Sequence, residues 1–156
     1  MLKLDKIDHA ILEELQKDGK LSNVDLADRV GLSESACLRR VKNLHEKGAI
    51  THYAAHLDAG TVGLPGTVFV RVSLEKQQEE KLGTFEKAVA NVPEVMECYL
   101  MGGDVDYMIR VVVRDTADYE RVHNILTRLP GVDRVHSSFA LRTVLKRTRL
   151  PMVKPL

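Results

Sequence analysis

No apolar run in this sequence approaches the roughly 18 residues needed to cross a bilayer, and neither sign of charge is in excess. Twenty-three lysines and arginines stand against 22 aspartates and glutamates, leaving a formal net charge of +1. The first absence argues against a membrane span. The second excludes a globally basic nucleic-acid coat, so any binding to DNA has to come from locally placed arginines and from several copies acting together. Cysteine is scarce as well: Cys37 and Cys98 lie in different segments and read as reduced, small apolar residues rather than a redox pair or metal ligands. The six histidines show no metal-ligand spacing such as H-E-x-x-H, so neither metal nor cofactor is expected. The opening MLKLDKIDH is charged from its start and lacks the apolar centre of a signal peptide, and the expected location is the cytoplasm.

What is present is the balance of a folded globular protein, 44% hydrophobic with 29% charged residues. A length of 156 residues holds one ordinary domain or two small ones. Charge is uneven along the chain: residues 1–57 are neutral, 58–133 are acidic, and 134–156 hold six basic side chains and no acidic one.

Residues 1–57 read as three helices. Leu4, Ile7, Ile11, Leu12 and Leu15 form an apolar stripe at helical spacing, with Asp5 or Asp8 available at its start and Asp18-Gly19 at its end. A second helix starts at Ser22, with Asp25 in the acidic place of a capping-box-like pattern, and buries Val24, Leu26, Ala27 and Val30. Gly31 permits the left-handed turn that residues bearing a Cβ resist. Ser33 caps a third helix running to about Lys47, with Cys37, Leu38, Val41 and Leu44 on its packed side. At about 100° per residue, Ser35, Arg39 and Asn43 point away from that stripe, flanked by Ala36, Arg40 and Lys42. Such a face suits a DNA major groove: guanidinium pairs bidentately with guanine, carboxamide with adenine, and small residues let the backbone approach. Ser33, Ser35, Ala36, Arg39, Arg40, Lys42 and Asn43 are therefore the candidate DNA-binding residues of a helix-turn-helix. The bland alternative for the paired arginines is a solvated helix face. Ile50-Thr51-His52-Tyr53-Ala54-Ala55 reads as a strand, either a small wing or the first part of a linker.

Residues 58–66, which end in the punctuating Thr61-Val62-Gly63-Leu64-Pro65-Gly66, form the expected linker to a second domain at 67–156. Strands over 67–74, 95–101, 107–113 and 132–145 and helices over 77–90 and 116–129 give the order βαββαβ. That order predicts an α+β fold, a ferredoxin-like sandwich with helices on one face of a four-stranded antiparallel sheet. Val68, Val70 and Val72, with Ile109, Val111 and Val113, alternate along their strands; helices cover one sheet face, and the other demands a partner, such as a second copy. Between two adjacent strands lies Met101-Gly102-Gly103-Asp104-Val105-Asp106-Tyr107, more than a plain hairpin requires. Its glycine amides can receive a carboxylate, and Asp104 or Asp106 can accept an ammonium, the two needs of a free α-amino acid. A turn whose aspartates satisfy local amides is the simpler alternative.

From Leu4 to about Leu150 the chain resembles the Lrp/AsnC (feast/famine) family of transcription regulators. The matching stretches are Leu4-Asp5-x-x-Asp8-x-x-Ile11-Leu12-x-x-Leu15, Ser22-Asn23-x-x-Leu26-Ala27-x-Arg29-Val30-Gly31-Leu32-Ser33 and Cys37-Leu38-x-Arg40-Val41-x-x-Leu44-x-x-x-Gly48-x-Ile50. Gly103-Asp104-x-Asp106-Tyr107 is similar to the family's effector-loop motif, and Leu129-Pro130-Gly131-Val132 to the turn before its last strand. The resemblance implies a winged helix-turn-helix followed by the ferredoxin-like domain. It also implies double-stranded DNA as partner, homodimers through the C-terminal sheet that often assemble into octamers, and an amino acid or related metabolite bound between dimers. The implied effector-site residues are Met101, Gly102, Gly103 and Asp104, with Asp106 beside the ligand or bracing the loop, and Arg128, Ser137 and Ser138 as further walls. Members often carry proline and threonine where Glu34, Ser35 and Ala36 stand here, and they vary the position of Arg39, which suits a role in sequence preference. The ending Ser137-Ser138-Phe139-Ala140-Leu141, followed by Arg149-Leu150-Pro151, is similar to a subgroup that regulates amino-acid catabolism. Lys146, Arg147 and Arg149 either reach wrapped DNA or form a solvated strand end. Two other readings are an enzyme like the siroheme decarboxylases, for which His123 and His136 are the C-terminal candidates, and an assembly module without DNA.

Overall fold

The computed structural model describes residues 3–75 and 78–152. They form two compact units, one from the described residues up to 56 together with 145–152, the other from the described residues between 57 and 144. The expected division assigned everything after residue 67 to the second domain; the tail instead joins the first unit. The side-chain amide of Gln16 is the reason. Its Oε1 accepts from the Leu150 backbone N–H at 2.6 Å, and its Nε2 donates to the Leu150 carbonyl at 3.3 Å.

In the first unit, α1 (Lys6–Lys17), α2 (Asn23–Val30) and α3 (Glu34–Glu46) follow the local signals closely. Asp5 and Asp8 act together rather than as alternatives. The Asp5 carboxylate accepts from the Ile7 and Asp8 backbone N–H groups, and the Asp8 carboxylate accepts from that of Asp5, a complete capping box. Ser22 and Ser33 cap α2 and α3, accepting from Asp25 and Ala36. Gly31 lies at φ 68°, the left-handed turn its sequence position requires. Ile11, Leu26, Ala27, Cys37 and Leu44 are fully enclosed, with Leu4, Ile7, Leu12, Leu15 and Val41 packed around them.

Two expected core residues are outside. Val24 is 48% exposed and Leu38 59% exposed. The stripe that α3 buries is centred on Cys37 and Leu44, and Leu38 sits a helical step of about 100° off it. No strand forms over 50–55, nor any wing; residues 51–58 have no regular structure. Tyr53 instead lays its ring against His45, centroids 5.3 Å apart, and over Gly19, where a Cβ would come within 3.2 Å of the tyrosine ring.

In the second unit β1 (Gly66–Leu74), α4 (Glu79–Val89), β2 (Val95–Leu100), β3 (Tyr107–Val113), α5 (Thr116–Leu126) and β4 (Val132–Phe139) follow the βαββαβ order. Position 77, the expected start of α4, lies outside the described residues. The sheet order is β2-β3-β1-β4, antiparallel throughout. Pairing of Val68 with Val111 and Val70 with Ile109 brings both valine-rich sets to one face. There they are buried with Phe85 and Val89 of α4 and Tyr119, Val122 and Leu126 of α5. The other face carries Phe69, Arg71, Tyr99, Met108, Arg110, His136 and Ser138 by the same registers, with Phe69 42% and Tyr99 55% exposed. β4 stops at Phe139, six residues short of its expected end, because Ala140 makes the last bond to β1.

Candidate nucleic-acid interface and effector loop

The open side of α3 is built from its N-cap outward. Ser33 and Ser35 stand at the start, exposed, and the Asn23 side chain donates to the Glu34 carbonyl at 2.9 Å, fixing the start of α2 to the start of α3. Ser35, Leu38, Arg39 and Lys42 are exposed along one side, at the i, i+3, i+4, i+7 spacing of a helix face, while Ala36 and Asn43 sit half-buried at its edge. Arg39 makes no ion pair or side-chain hydrogen bond among the described residues, so its guanidinium is available. Lys42 has only a loose exposed partner, Glu46 at 3.8 Å.

Arg40, also in the expected groove-reading set, is held differently from Arg39. Its Nη1 donates to Asp5 Oδ2 at 2.7 Å and to Asp8 Oδ1 at 2.8 Å, tying α3 to the capping box of α1. The Asp8 backbone N–H and then the Arg40 guanidinium hold the Asp5 carboxyl below its usual range. In turn, Asp5 and Asp8 raise the Arg40 pKa. Arg40 is a brace between helices.

The turn between β2 and β3 is anchored at its far end. Asp106, 6% exposed, accepts from the Leu74 backbone N–H through Oδ2 at 2.7 Å, and its own N–H donates to the Val72 carbonyl at 3.0 Å. Its carbonyl receives the Met101 N–H at 2.8 Å. These bonds make Asp106 a brace of the turn. Gly103, at φ 148°, carries the chain through a region that favours glycine, and Asp104 next to it is exposed with no side-chain partner among the described residues. Beneath the turn, the Tyr107 hydroxyl donates to Glu86 Oε1 at 2.8 Å, and burial together with that carboxylate raises its pKa.

The remaining expected walls do not converge on this turn within one copy. Ser137 faces the helices and bonds the Tyr119 hydroxyl, whereas Ser138 pairs with Phe69 on the opposite sheet face. Arg128 lies with Ala117, Glu120, Arg121, Asn124, Ile125 and Leu129 along an open groove on α5 that contains no residue of the 101–106 turn. Burial pushes the Cys98 thiol up to about 11 and raises that of Cys37, which fits their reading as unreactive apolar residues. No group of side chains suited to a metal ion occurs among the described residues, and no helix among them is long and apolar enough to cross a membrane.

A three-helix unit presenting one helix face, joined to a βαββαβ sandwich with a braced Gly-Gly-Asp turn, defines a DNA-binding regulator with a separate ligand-binding module. Residues 4–51 match the model for winged helix-turn-helix DNA-binding domains, and residues 67–150 match that for the Lrp/AsnC ligand binding domain. The chain is 47% identical to the Bkd operon transcriptional regulator of Pseudomonas aeruginosa, covering 97% of this chain and 100% of that one. It is 39% identical to the leucine-responsive regulatory protein of Escherichia coli, over 94% and 90% of the two chains. Among solved structures, the L-Met complex of a Neisseria meningitidis transcriptional regulator superposes with a TM-score of 0.89 at 37% identity, covering 96% and 97%. The chain belongs to the Lrp/AsnC family of transcriptional regulators, a family of regulators rather than enzymes.

Proposed function

We propose that this regulator senses a free amino acid at the 101–106 turn and transmits its presence to operator binding, in control of amino-acid metabolism or transport. The observation that carries the reading is the contrast between two aspartates two residues apart. Asp106 is buried and spent on holding the turn, while Asp104 is exposed, with no side-chain partner among the described residues. A carboxylate next in sequence to the Gly102 and Gly103 amides offers complementary partners to an ammonium and a carboxylate. The named relatives lend support: one is described as leucine-responsive and one was solved with L-methionine.

Because Arg128, Ser137 and Ser138 lie elsewhere in a single copy, a closed site needs residues from a neighbouring copy. Homodimerisation through the helix-free sheet face, with dimers assembling further, supplies both that neighbour and two recognition helices. Ser33, Ser35, Ala36, Arg39, Lys42 and Asn43 read or approach the major groove, and each dimer meets two half-sites about one helical turn apart, roughly 34 Å. The test is selection of binding sites from a random DNA pool at fixed salt, followed by titration of amino acids on the selected site. A near-palindromic motif whose affinity shifts with one amino acid is the expected result, and Asp104→Asn abolishes the shift while leaving effector-free binding intact. Equal loss of affinity with and without the amino acid would remove Asp104 from the effector site.

A further inference from the structure

We propose that Leu38 is a specificity-determining residue of α3 that reads the C5-methyl group of a thymine in the operator. The inference rests on α3 being the helix that enters the major groove.

Leu38 is the anomaly of this helix. The other large apolar side chains of α3 serve the core: Cys37 and Leu44 are enclosed and Val41 is half-buried, whereas Leu38 is 59% exposed. Its position, not only its exposure, carries the argument. Leu38 stands next to Arg39, three residues after Ser35 and four before Lys42, so a single aliphatic side chain sits within a small, polar and cationic face. That face is complementary in charge to a phosphate-lined groove, and neither arginine nor lysine there is tied to a strong partner in the unit. From Ser35 to Lys42 the helix rises about 10 Å at 1.5 Å per residue, the span of about three base pairs at 3.4 Å each. A leucine at the centre of such a span has no hydrogen-bonding atom to offer a base edge. The one apolar feature a base pair presents in the major groove is the thymine methyl, and apolar side chains meet it there. Arg39 beside it recognises hydrogen-bond acceptors, so the two neighbours read different chemistry at adjacent steps. Outside the complex most of the Leu38 side chain remains in water; its apolar contact is completed only on the correct DNA.

The experiment pairs a protein change with a base change. On the selected operator, each thymine is replaced in turn by deoxyuridine, which differs only by the missing methyl, and affinity is measured for wild type, Leu38→Ala and Leu38→Met. In wild type, one thymine per half-site responds, with affinity falling about fourfold, the worth of one buried methyl group. With Leu38→Ala the same replacement changes nothing, and with Leu38→Met, which keeps an apolar reach, discrimination is retained. If no thymine responds, or if wild type and Leu38→Ala lose affinity equally, the proposal is overturned. It is overturned as well if Leu38→Ala lowers the assembly mass in sedimentation, since the side chain then serves a contact between copies. Recovery of no motif by wild type would instead sink the sequence-specific reading itself, a failure seen before any deoxyuridine is introduced.

Discussion

Arg39 and Arg40 are neighbours in the chain, yet one helical step of about 100° sends them to different work. Arg40 bonds Asp5 and Asp8 at 2.7 and 2.8 Å, and Arg39 keeps its guanidinium free among the described residues. Substitution separates them. Arg40→Ala strips the charged donor from the nearly buried Asp8 and costs about 1–2 kcal/mol of stability, with the exposed Asp5 adding little. Thermal unfolding registers that loss, and DNA affinity falls alike on every sequence. Arg39→Ala leaves the melting temperature unchanged and costs about 1–3 kcal/mol on the operator while relaxing specificity at one position. A uniform loss on all sequences would mark Arg39 as a phosphate contact instead. The aspartates of the turn divide in the same way. Asp106→Ala orphans the buried Leu74 N–H and destabilises by about 1–3 kcal/mol in denaturant melts, whereas Asp104→Ala leaves those melts unaltered.

At the scale of elements, the start of α1 and the middle of α3 form a joint whose strength depends on pH. The Asp5 carboxyl is held below its ordinary value of 3.8, first by the Asp8 N–H and then by Arg40. A depressed carboxylate pKa contributes stability that is fully present above the unfolded value and lost as pH falls through the folded one. Acid titration of wild type therefore shows a loss below about pH 4 that Asp5→Asn lacks, the value being that of an ordinary aspartate. The turn between α2 and α3 responds to sterics rather than charge. Gly31 sits at φ 68°, so Gly31→Ala costs about 1–2 kcal/mol even though open space surrounds the site. Chemical denaturation of the substituted protein measures it directly.

For the molecule as a whole, the uncovered sheet face and the returning tail matter most. Phe69→Asp places a charge in the middle of the face assigned to dimerisation; sedimentation is expected to show a smaller particle, and operator affinity to fall with it. An unchanged particle mass would move the interface elsewhere. Local signals were legible in the residues themselves: the caps at Asp5, Ser22 and Ser33, the left-handed Gly31, the βαββαβ order and the family motifs each depend on a few neighbouring positions, where helix periodicity and turn sterics act. Which residues those elements then turn toward one another depended on docking. The sequence alone did not separate Arg40 from Arg39, because the carboxylates that claim Arg40 lie 32 and 35 residues away. It placed Leu38 and Val24 inside because an apolar stripe read from one helix does not reveal how narrow the contact with its neighbours is. It left Asp106 between two roles because its partner, the Leu74 N–H, becomes available only once β1 and β3 are paired. Nor did it show that the tail packs with the first unit, since the bonds between Gln16 and Leu150 close a loop of 134 residues that no local rule foresees. Short-range sterics and hydrogen bonding made the elements and the family readable from the residues alone, while long-range pairing in the folded chain decided which side chains are braces and which remain free to meet DNA or ligand.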